Sequence, residues 1–182
     1  MKRSLPTVHA GQGGHARAAR RPVAPRERAD PPAALVTVGW ANHAREAAQL
    51  ALSLCAALTK HGVPVAVLLA SDGAEPLPNA SLGQFLEAGA RATKWVNLPA
   101  QGADKVLAAA LAELAGSQLV LALGNAPAEF YRPFFSIVVS GHRRQRITED
   151  AQIMQADLEI TTPSDGIADE LARMLASRLG SP

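Results

Sequence analysis

From residue 34 onward, short apolar runs alternate with longer stretches in which apolar residues recur every three or four positions. The short runs predict six β-strands: "ALVTV" at 34–38, "VPVAVLLA" at 63–70, "ATKWVNL" at 92–98, "QLVLAL" at 118–123, "FFSIVVS" at 134–140 and "DLEITT" at 157–162. The second and fourth runs are almost wholly apolar, which is typical of strands that are covered on both faces.

The periodic stretches predict five helices, at 44–60, 81–88, 103–115, within 148–155 and at 165–179. Glycines stand where three of these helices should end (Gly62, Gly89 and Gly116), and hydroxyl residues stand near three starts (Ser81, Thr148 and Ser164). Strands that alternate with helices form a parallel sheet, and right-handed crossovers place helices on both of its faces. The sequence therefore predicts a doubly wound α/β fold with a mostly parallel sheet.

Residues 1–33 differ in composition from the rest of the chain. They carry seven Lys and Arg against two Asp and Glu, a net charge of +5, whereas the remainder carries 11 against 14, a net charge of −3. The segment is rich in Pro, Gly, Ala and Arg and has too few large apolar residues to form a core. We predict a disordered basic tail at 1–33 and a single domain at 34–182. The tail is either a weak electrostatic arm for phosphate-bearing partners or a segment without a binding role.

Bulk composition narrows the class of protein. The 182 residues are 48% hydrophobic and only 4% aromatic, which suits one domain with an aliphatic core. The single cysteine, Cys55, lies at helical spacing among leucines, so we expect a buried side chain and a reducing compartment. No apolar run approaches the ~20 residues that cross a bilayer. We expect a cytoplasmic protein that acts with a protein partner or as a homodimer, without membrane or nucleic acid.

The first strand leads into a possible phosphate-binding loop, "GWANHARE", which begins at Gly39. In the pattern GxxxxGK[ST], backbone N–H groups hold the phosphates, Lys neutralises them and the hydroxyl holds magnesium. Here Ala44 replaces the second glycine, Arg45 the lysine and Glu46 the hydroxyl residue. The Glu46 carboxylate would also complement the dipole of the following helix when no ligand is bound. The loop is therefore degenerate, and its local chemistry suits an empty site as well as a filled one.

Other candidate ligand contacts also follow predicted strands, because ligands of doubly wound sheets bind at the carboxyl ends of the strands. Asn42 and His43 follow Gly39, and Trp40 has an aromatic ring that can stack on a base. For His43 an ordinary surface position remains open, and for Trp40 so does a packing role.

The fourth and fifth strands add further candidates at the same edge. Gly124 and Asn125 follow the fourth strand, and Glu129 is the carboxylate nearest to its end. Arg143 and Arg144 follow the fifth strand and offer positive charge to a phosphate or carboxylate. A solvated helix end for Glu129 and a solvated loop for the arginines remain open. No zinc spacing and no nucleophile with a matching base can be proposed.

The order of these features resembles the molybdopterin-guanine dinucleotide biosynthesis adapter family, a GTP-binding branch of the P-loop fold that serves molybdenum cofactor assembly. The resemblance covers about residues 34–141 and is carried by "ALVTVGW", "HGVPVAVLLASDG" with its acid at Asp72, "FLEAGA" and "QLVLALGN". It implies a P-loop NTPase-like fold and GTP or a molybdopterin-type ligand as cofactor.

The chain departs from that family at three functional positions. The family has the loop lysine, the following hydroxyl residue and an acid at the end of the strand where Leu123 stands here. Their loss removes the groups that neutralise and orient a γ-phosphate. We therefore expect a pseudo-NTPase, a non-hydrolytic accessory or adapter protein. Two alternatives remain: a nucleotide-dependent enzyme that uses Arg45 and Glu129, and a structural subunit whose loop is empty.

Overall fold

A computed structural model describes residues 28–40, 43–71, 81–140, 156–161, 163–164 and 166–180. Along the chain they form β1 (Ala34–Trp40), α1 (Ala44–Lys60), β2 (Val65–Ser71), α2 (Leu82–Glu87), β3 (Ala92–Asn97), α3 (Ala103–Leu114), β4 (Leu119–Leu123), α4 (Pro127–Phe130), β5 (Phe135–Val139), β6 (Leu158–Ile160) and α5 (Ile167–Gly180). All six predicted strands and four of the predicted helices are confirmed. The helix predicted within 148–155 lies outside the described residues, and the short helix α4 was not predicted.

The strands form one six-stranded sheet in the order β3-β2-β4-β1-β5-β6. Each of the five strand pairings is parallel. The order means that β1 lies between β4 and β5, and that β4 lies between β1 and β2, which follow one another along the chain. This confirms the α/β prediction and is consistent with a doubly wound, P-loop-like fold.

Helices cover both faces of the sheet. Successive residues of a strand point to opposite faces, so each strand contributes apolar side chains to a core on either side. On the first face, Val36 and Val38 of β1 belong to a core that includes α1, α5 and Phe85 of α2. On the second face, Leu35 of β1 belongs to a core that includes α3 and, at its border, Phe130 of α4. The helices after β1 and β2 therefore lie on one face, and those after β3 and β4 lie on the other.

Helix α1 shows how closely the apolar spacing sets local structure. Its 17 residues have the predicted bounds, and its buried side chains recur at helical spacing along one side. Gly62 follows it with a φ of +77°, a left-handed conformation that glycine adopts at little cost.

No described helix is both long enough and apolar enough to cross a membrane.

Ala29, which the sequence analysis places in the disordered tail, is in contact with the sheet domain. Ala29 forms a parallel bridge with Tyr131, in which its N–H donates to Phe130 O at 3.0 Å and its carbonyl accepts from Arg132 N at 2.9 Å. Backbone hydrogen bonding, which needs no apolar side chain, thus joins Ala29 of the predicted tail to the sheet domain, and the domain boundary at 34 stays a prediction. Residues 1–27 lie outside the described part of the chain.

Candidate functional site

The carboxyl edge of the sheet has a topological switch point between β1 and β4. These strands are neighbours, yet β1 leads into a helix on the first face and β4 into one on the second. Diverging connections of this kind open a crevice at the carboxyl ends, where doubly wound proteins bind ligands. The structure brings together four predicted site residues here, because Gly39 and Trp40 end β1 while Gly124 and Asn125 follow β4.

The side chain of Asn125 bridges the two strands at this point. Its Oδ1 accepts from the Trp40 backbone N–H at 2.9 Å, and its Nδ2 donates to the Trp40 carbonyl at 3.1 Å. The backbone ladder ends just before, where Gly124 N donates to Val38 O at 3.0 Å. The amide side chain thus continues the ladder beyond the end of β4. Asn125 binds the protein's own backbone, rather than presenting a free amide to the crevice.

Gly124 is fixed by a close approach of backbone to backbone. Its φ is +139°, and a Cβ at this position would lie 2.3 Å from the carbonyl oxygen of Ala70 in β2. A side chain would therefore clash with a strand that cannot easily move. The residue is needed for the packing of β4 against β2, and it leaves the edge free of side chains just before Asn125.

Gly39 lies within β1 rather than in a loop. It is buried and pairs with Val138, and the next residue, Trp40, pairs with Val139 of β5. The predicted strand ends at residue 38, so the expectation that a phosphate loop begins at Gly39 is wrong in this respect. Only three residues, 41–43, join β1 to α1. Pairing with β5, which the sequence alone does not show, shortens the loop.

The N-terminus of α1 carries the remaining charges of the degenerate loop. His43 is the N-cap residue but makes no side-chain capping hydrogen bond, and its Nδ1 lies 3.7 Å from Glu46 Oε2. Arg45 is exposed in the first turn. The Glu46 carboxylate therefore already complements the unpaired N–H groups of this helix end, and an incoming phosphate would meet its like charge.

The strand-end position where the resemblance places an acid belongs to the apolar core. Leu123 is 0% exposed and packs on the first face. Glu129, the other candidate carboxylate, is half-buried in the first turn of α4. Within the described residues no group of three or more His, Cys, Asp or Glu side chains has a geometry that could hold a metal ion.

Four predicted site residues lie outside the described part of the chain. They are Asn42, Asp72, Arg143 and Arg144. Their roles as ligand contacts stay predictions, and the site as described consists of the β1 and β4 ends and the start of α1.

A cavity that the sequence analysis did not identify lies beside α3. Its volume is about 610 Å³, and its walls come from the first turns of α3 with the preceding loop, the end of α4 and Ala29. Tyr131 is 7% exposed and lines this cavity. Burial raises the pKa of its phenol, and the negative charge of Asp104 raises it further. Two sequence features mark the place: a glycine before a helix, and the only tyrosine of the chain.

Cys55 behaves as the sequence predicts. It is fully buried in α1 as a free thiol. Burial raises its pKa from the ordinary 9.0 to about 11, against a smaller opposing effect of a backbone hydrogen bond at Ala90. A neutral buried thiol is a poor nucleophile, so Cys55 is a core residue.

No protein-family model, curated protein or solved structure matches this chain. The resemblance to the adapter family therefore stays a prediction. The class that the fold and the switch point define is an α/β domain with a doubly wound, P-loop-like sheet.

Proposed function

We propose that this chain is a non-hydrolytic accessory or adapter protein whose degenerate loop meets a nucleotide-like ligand without catalysing its hydrolysis. One observation carries the proposal. At the β1/β4 crevice, the fully buried Leu123 occupies the position where the resemblance places a strand-end acid. The side-chain amide of Asn125 is hydrogen-bonded to the backbone of Trp40. Phosphoryl transfer depends on groups that hold magnesium and stabilise charge on the γ-phosphate. The described side chains at this edge supply structural contacts instead.

The charge at the start of α1 supports weak binding rather than catalysis. Arg45 provides a positive charge but lacks the compact reach of a loop lysine. Its neighbour Glu46 opposes an anion at the same helix end. A ligand whose phosphate is held mainly by the exposed Arg45 guanidinium gains a modest, salt-dependent attraction.

The cellular setting follows from the resemblance and from the cysteine. Similarity to the molybdopterin-guanine dinucleotide adapter family supports GTP or a molybdopterin-type ligand and a part in molybdenum cofactor assembly. The buried, unpaired Cys55 fits a reducing compartment such as the cytoplasm. An adapter acts through contacts with other chains, so we include a protein partner or a second copy of this chain in the proposal.

The test combines phosphate release with ligand-dependent thermal stability of the full chain. GTP, ATP and a molybdopterin-type ligand are titrated with and without Mg²⁺, using Arg45→Ala and the matched control Arg91→Ala. Arg91 is also exposed but precedes β3, at the opposite edge of the sheet. We expect no phosphate release, and a ligand shift that Arg45→Ala removes and Arg91→Ala keeps. A ligand at 100 times its Kd stabilises by about 2.7 kcal/mol, which is readily measured.

Two outcomes contradict the proposal in different ways. Magnesium-dependent phosphate release that Glu129→Gln abolishes identifies a nucleotide-dependent enzyme. A chain that none of these ligands stabilises, and that forms a defined complex with itself or a partner, is a structural subunit with an empty loop.

A further inference from the structure

The cavity beside α3 has one wall that contains two consecutive aromatic residues. Phe130, the last residue of α4, is half-buried, and Tyr131 follows it. Much of the remaining wall consists of alanines, and two exposed charged residues, Asp104 and Lys105, complete it. The volume of about 610 Å³ lies within the range of binding sites in proteins. The cavity therefore offers aromatic and methyl surface with one charge of each sign.

The described part of the chain begins at this cavity. Ala29 lines it and forms the parallel bridge with Tyr131. The N–H of Ala29 donates to the carbonyl of Phe130 at 3.0 Å, so the chain runs beside the aromatic wall at this point. Residues 1–27 are covalently joined to the domain through this bridge, and the residues that directly precede it start from the cavity.

The sequence just before the bridge has the composition of a polyproline ligand. Residues 22–25 are "PVAP", in which the two prolines stand three positions apart. Such a segment favours the polyproline II helix, which has no internal hydrogen bonds and needs no core of its own. Segments with this spacing bind aromatic-lined grooves, because their conformation is formed in advance and little entropy is lost on docking. The shortage of large apolar residues in the tail is compatible with this kind of contact.

Length and charge also match. A polyproline II helix rises by about 3.1 Å per residue, so Pro25 can lie no more than roughly 12 Å from Ala29. Arg26 and Glu27 follow the prolines with charges opposite to those of Asp104 and Lys105. Exposed ion pairs contribute little to stability, so the aromatic contacts should supply most of the binding and the charges should favour one orientation.

We propose that residues 22–27 occupy the cavity beside α3 in their own chain, as a polyproline II segment that packs its prolines against Phe130 and Tyr131. Arg26 then lies near Asp104. A tethered segment acts at an effective concentration in the millimolar range, so a weak contact is enough to keep it bound. The cavity shares no residue with the β1/β4 crevice or with the start of α1, and the inference goes beyond the function proposed above.

Limited trypsin digestion of the full chain provides the first test. Trypsin cleaves after arginine, and the tail contains Arg17 outside the proposed segment and Arg26 within it. Ala108→Trp fills the cavity from an exposed position of α3, whereas Ala109→Trp changes an exposed neighbour that does not line it. Cleavage after Arg26 should become at least about threefold faster in Ala108→Trp, because cleavage requires the undocked segment. Cleavage after Arg17 should be unchanged in both variants, and Ala109→Trp should behave as the wild type at both sites.

A synthetic peptide of residues 20–28, "RRPVAPRER", provides the second test. It is titrated into the full chain and into a full-length variant with Pro22→Ser, Val23→Ser and Pro25→Ser. Amide NMR signals of Ala103 and Ala108 should shift saturably in the variant, whose own segment no longer competes. Binding to the wild type should be at least about tenfold weaker, because the tethered segment competes for the cavity. A peptide with the same three serine substitutions should not bind to either chain.

Three outcomes overturn the proposal. One is cleavage after Arg26 at the same rate in the wild type and Ala108→Trp. Another is a peptide that does not bind to the triple variant, or that binds to the wild type equally well, which would leave the cavity open in the full chain. The third is protection of the Arg26 site that increases with protein concentration, which would make a second copy the source of the bound segment.

Discussion

The side-chain amide of Asn125 forms two hydrogen bonds with the backbone of Trp40, a residue 85 positions earlier in the chain. Because both the N–H and the carbonyl of Trp40 are engaged, the amide takes the place of one further residue of β4. It fixes the distance between β1 and β4 at the edge where a ligand of this fold would bind. The same side chain therefore stabilises the sheet and restricts what the crevice can accept.

Loss of this bridge should destabilise the protein. Asn125→Ala leaves the backbone groups of Trp40 without their partner, and half-buried groups of this kind cost about 1–3 kcal/mol in the free energy of unfolding. The measurement is denaturant unfolding. Asn97→Ala is the control, because Asn97 is also the last residue before a loop but is exposed at the end of β3. It should change stability by less than about 0.5 kcal/mol. Equal effects of the two substitutions would mean that the bridge contributes nothing.

The glycine before Asn125 should tolerate substitution even less. Gly124→Ala places a Cβ 2.3 Å from Ala70 O and strains a φ of +139°, so we expect a loss of at least about 2 kcal/mol. Gly83→Ala is the matched control, since Gly83 lies inside α2 with no atom within 4 Å of its Cβ position. Alanine favours a helix, so that variant should gain about 0.5–1 kcal/mol. Thermal unfolding should show shifts of opposite sign, and a neutral Gly124→Ala would refute the close approach.

Thr37, in the middle of β1, is a position where a substitution should stabilise the protein. It is 0% exposed, and its Oγ1 has no hydrogen-bond partner among the described residues. Thr37→Val keeps the shape of the side chain and removes the unpaired hydroxyl, so the free energy of unfolding should rise by about 1 kcal/mol. Thr37→Ser keeps the hydroxyl, removes a methyl group and should lower it by about 1 kcal/mol. A destabilised Thr37→Val would indicate that the hydroxyl has a partner, such as a buried water.

The local fold was predictable where a single pattern determined it. The bounds of α1 follow from its apolar spacing and from Gly62, and the strand predictions fall within two residues of the observed strands. Helix α4 has only four residues and begins with Pro127, so it shows no periodicity that could have been detected.

The candidate site was predictable only in its position. Gly39, Trp40, Gly124 and Asn125 meet because the carboxyl ends of parallel strands share an edge. Asn125 can bind Trp40 only because β4 lies beside β1, and the order of strands in a sheet cannot be predicted from local sequence patterns. The cavity beside α3 depends in the same way on separate elements, because Asp104 of α3 and Tyr131 after α4 both line it.

Cys55 provides a prediction for alkaline pH. Its thiol has a pKa of about 11 in the folded protein and an ordinary value of 9.0. The folded state therefore keeps a proton that the unfolded state releases above pH 9, so the stabilisation is complete below pH 9 and is lost as pH rises towards 11. Two pH units correspond to roughly 3 kcal/mol.

The measurement compares the free energy of unfolding of the wild type with that of Cys55→Ala between pH 8 and pH 11. The substitution leaves a small cavity, so the variant should be less stable at pH 8. All other ionisable groups are the same in both proteins, so their effects cancel in the difference. Only the wild type has a thiol whose pKa is higher in the folded than in the unfolded state. The difference in the free energy of unfolding between the wild type and the variant should therefore shrink by up to about 3 kcal/mol as pH rises. If the free energies of unfolding of the two proteins change in parallel with pH, the folded thiol has its ordinary pKa. Rapid reaction of the folded wild type with a thiol reagent at pH 8 would show that Cys55 is accessible.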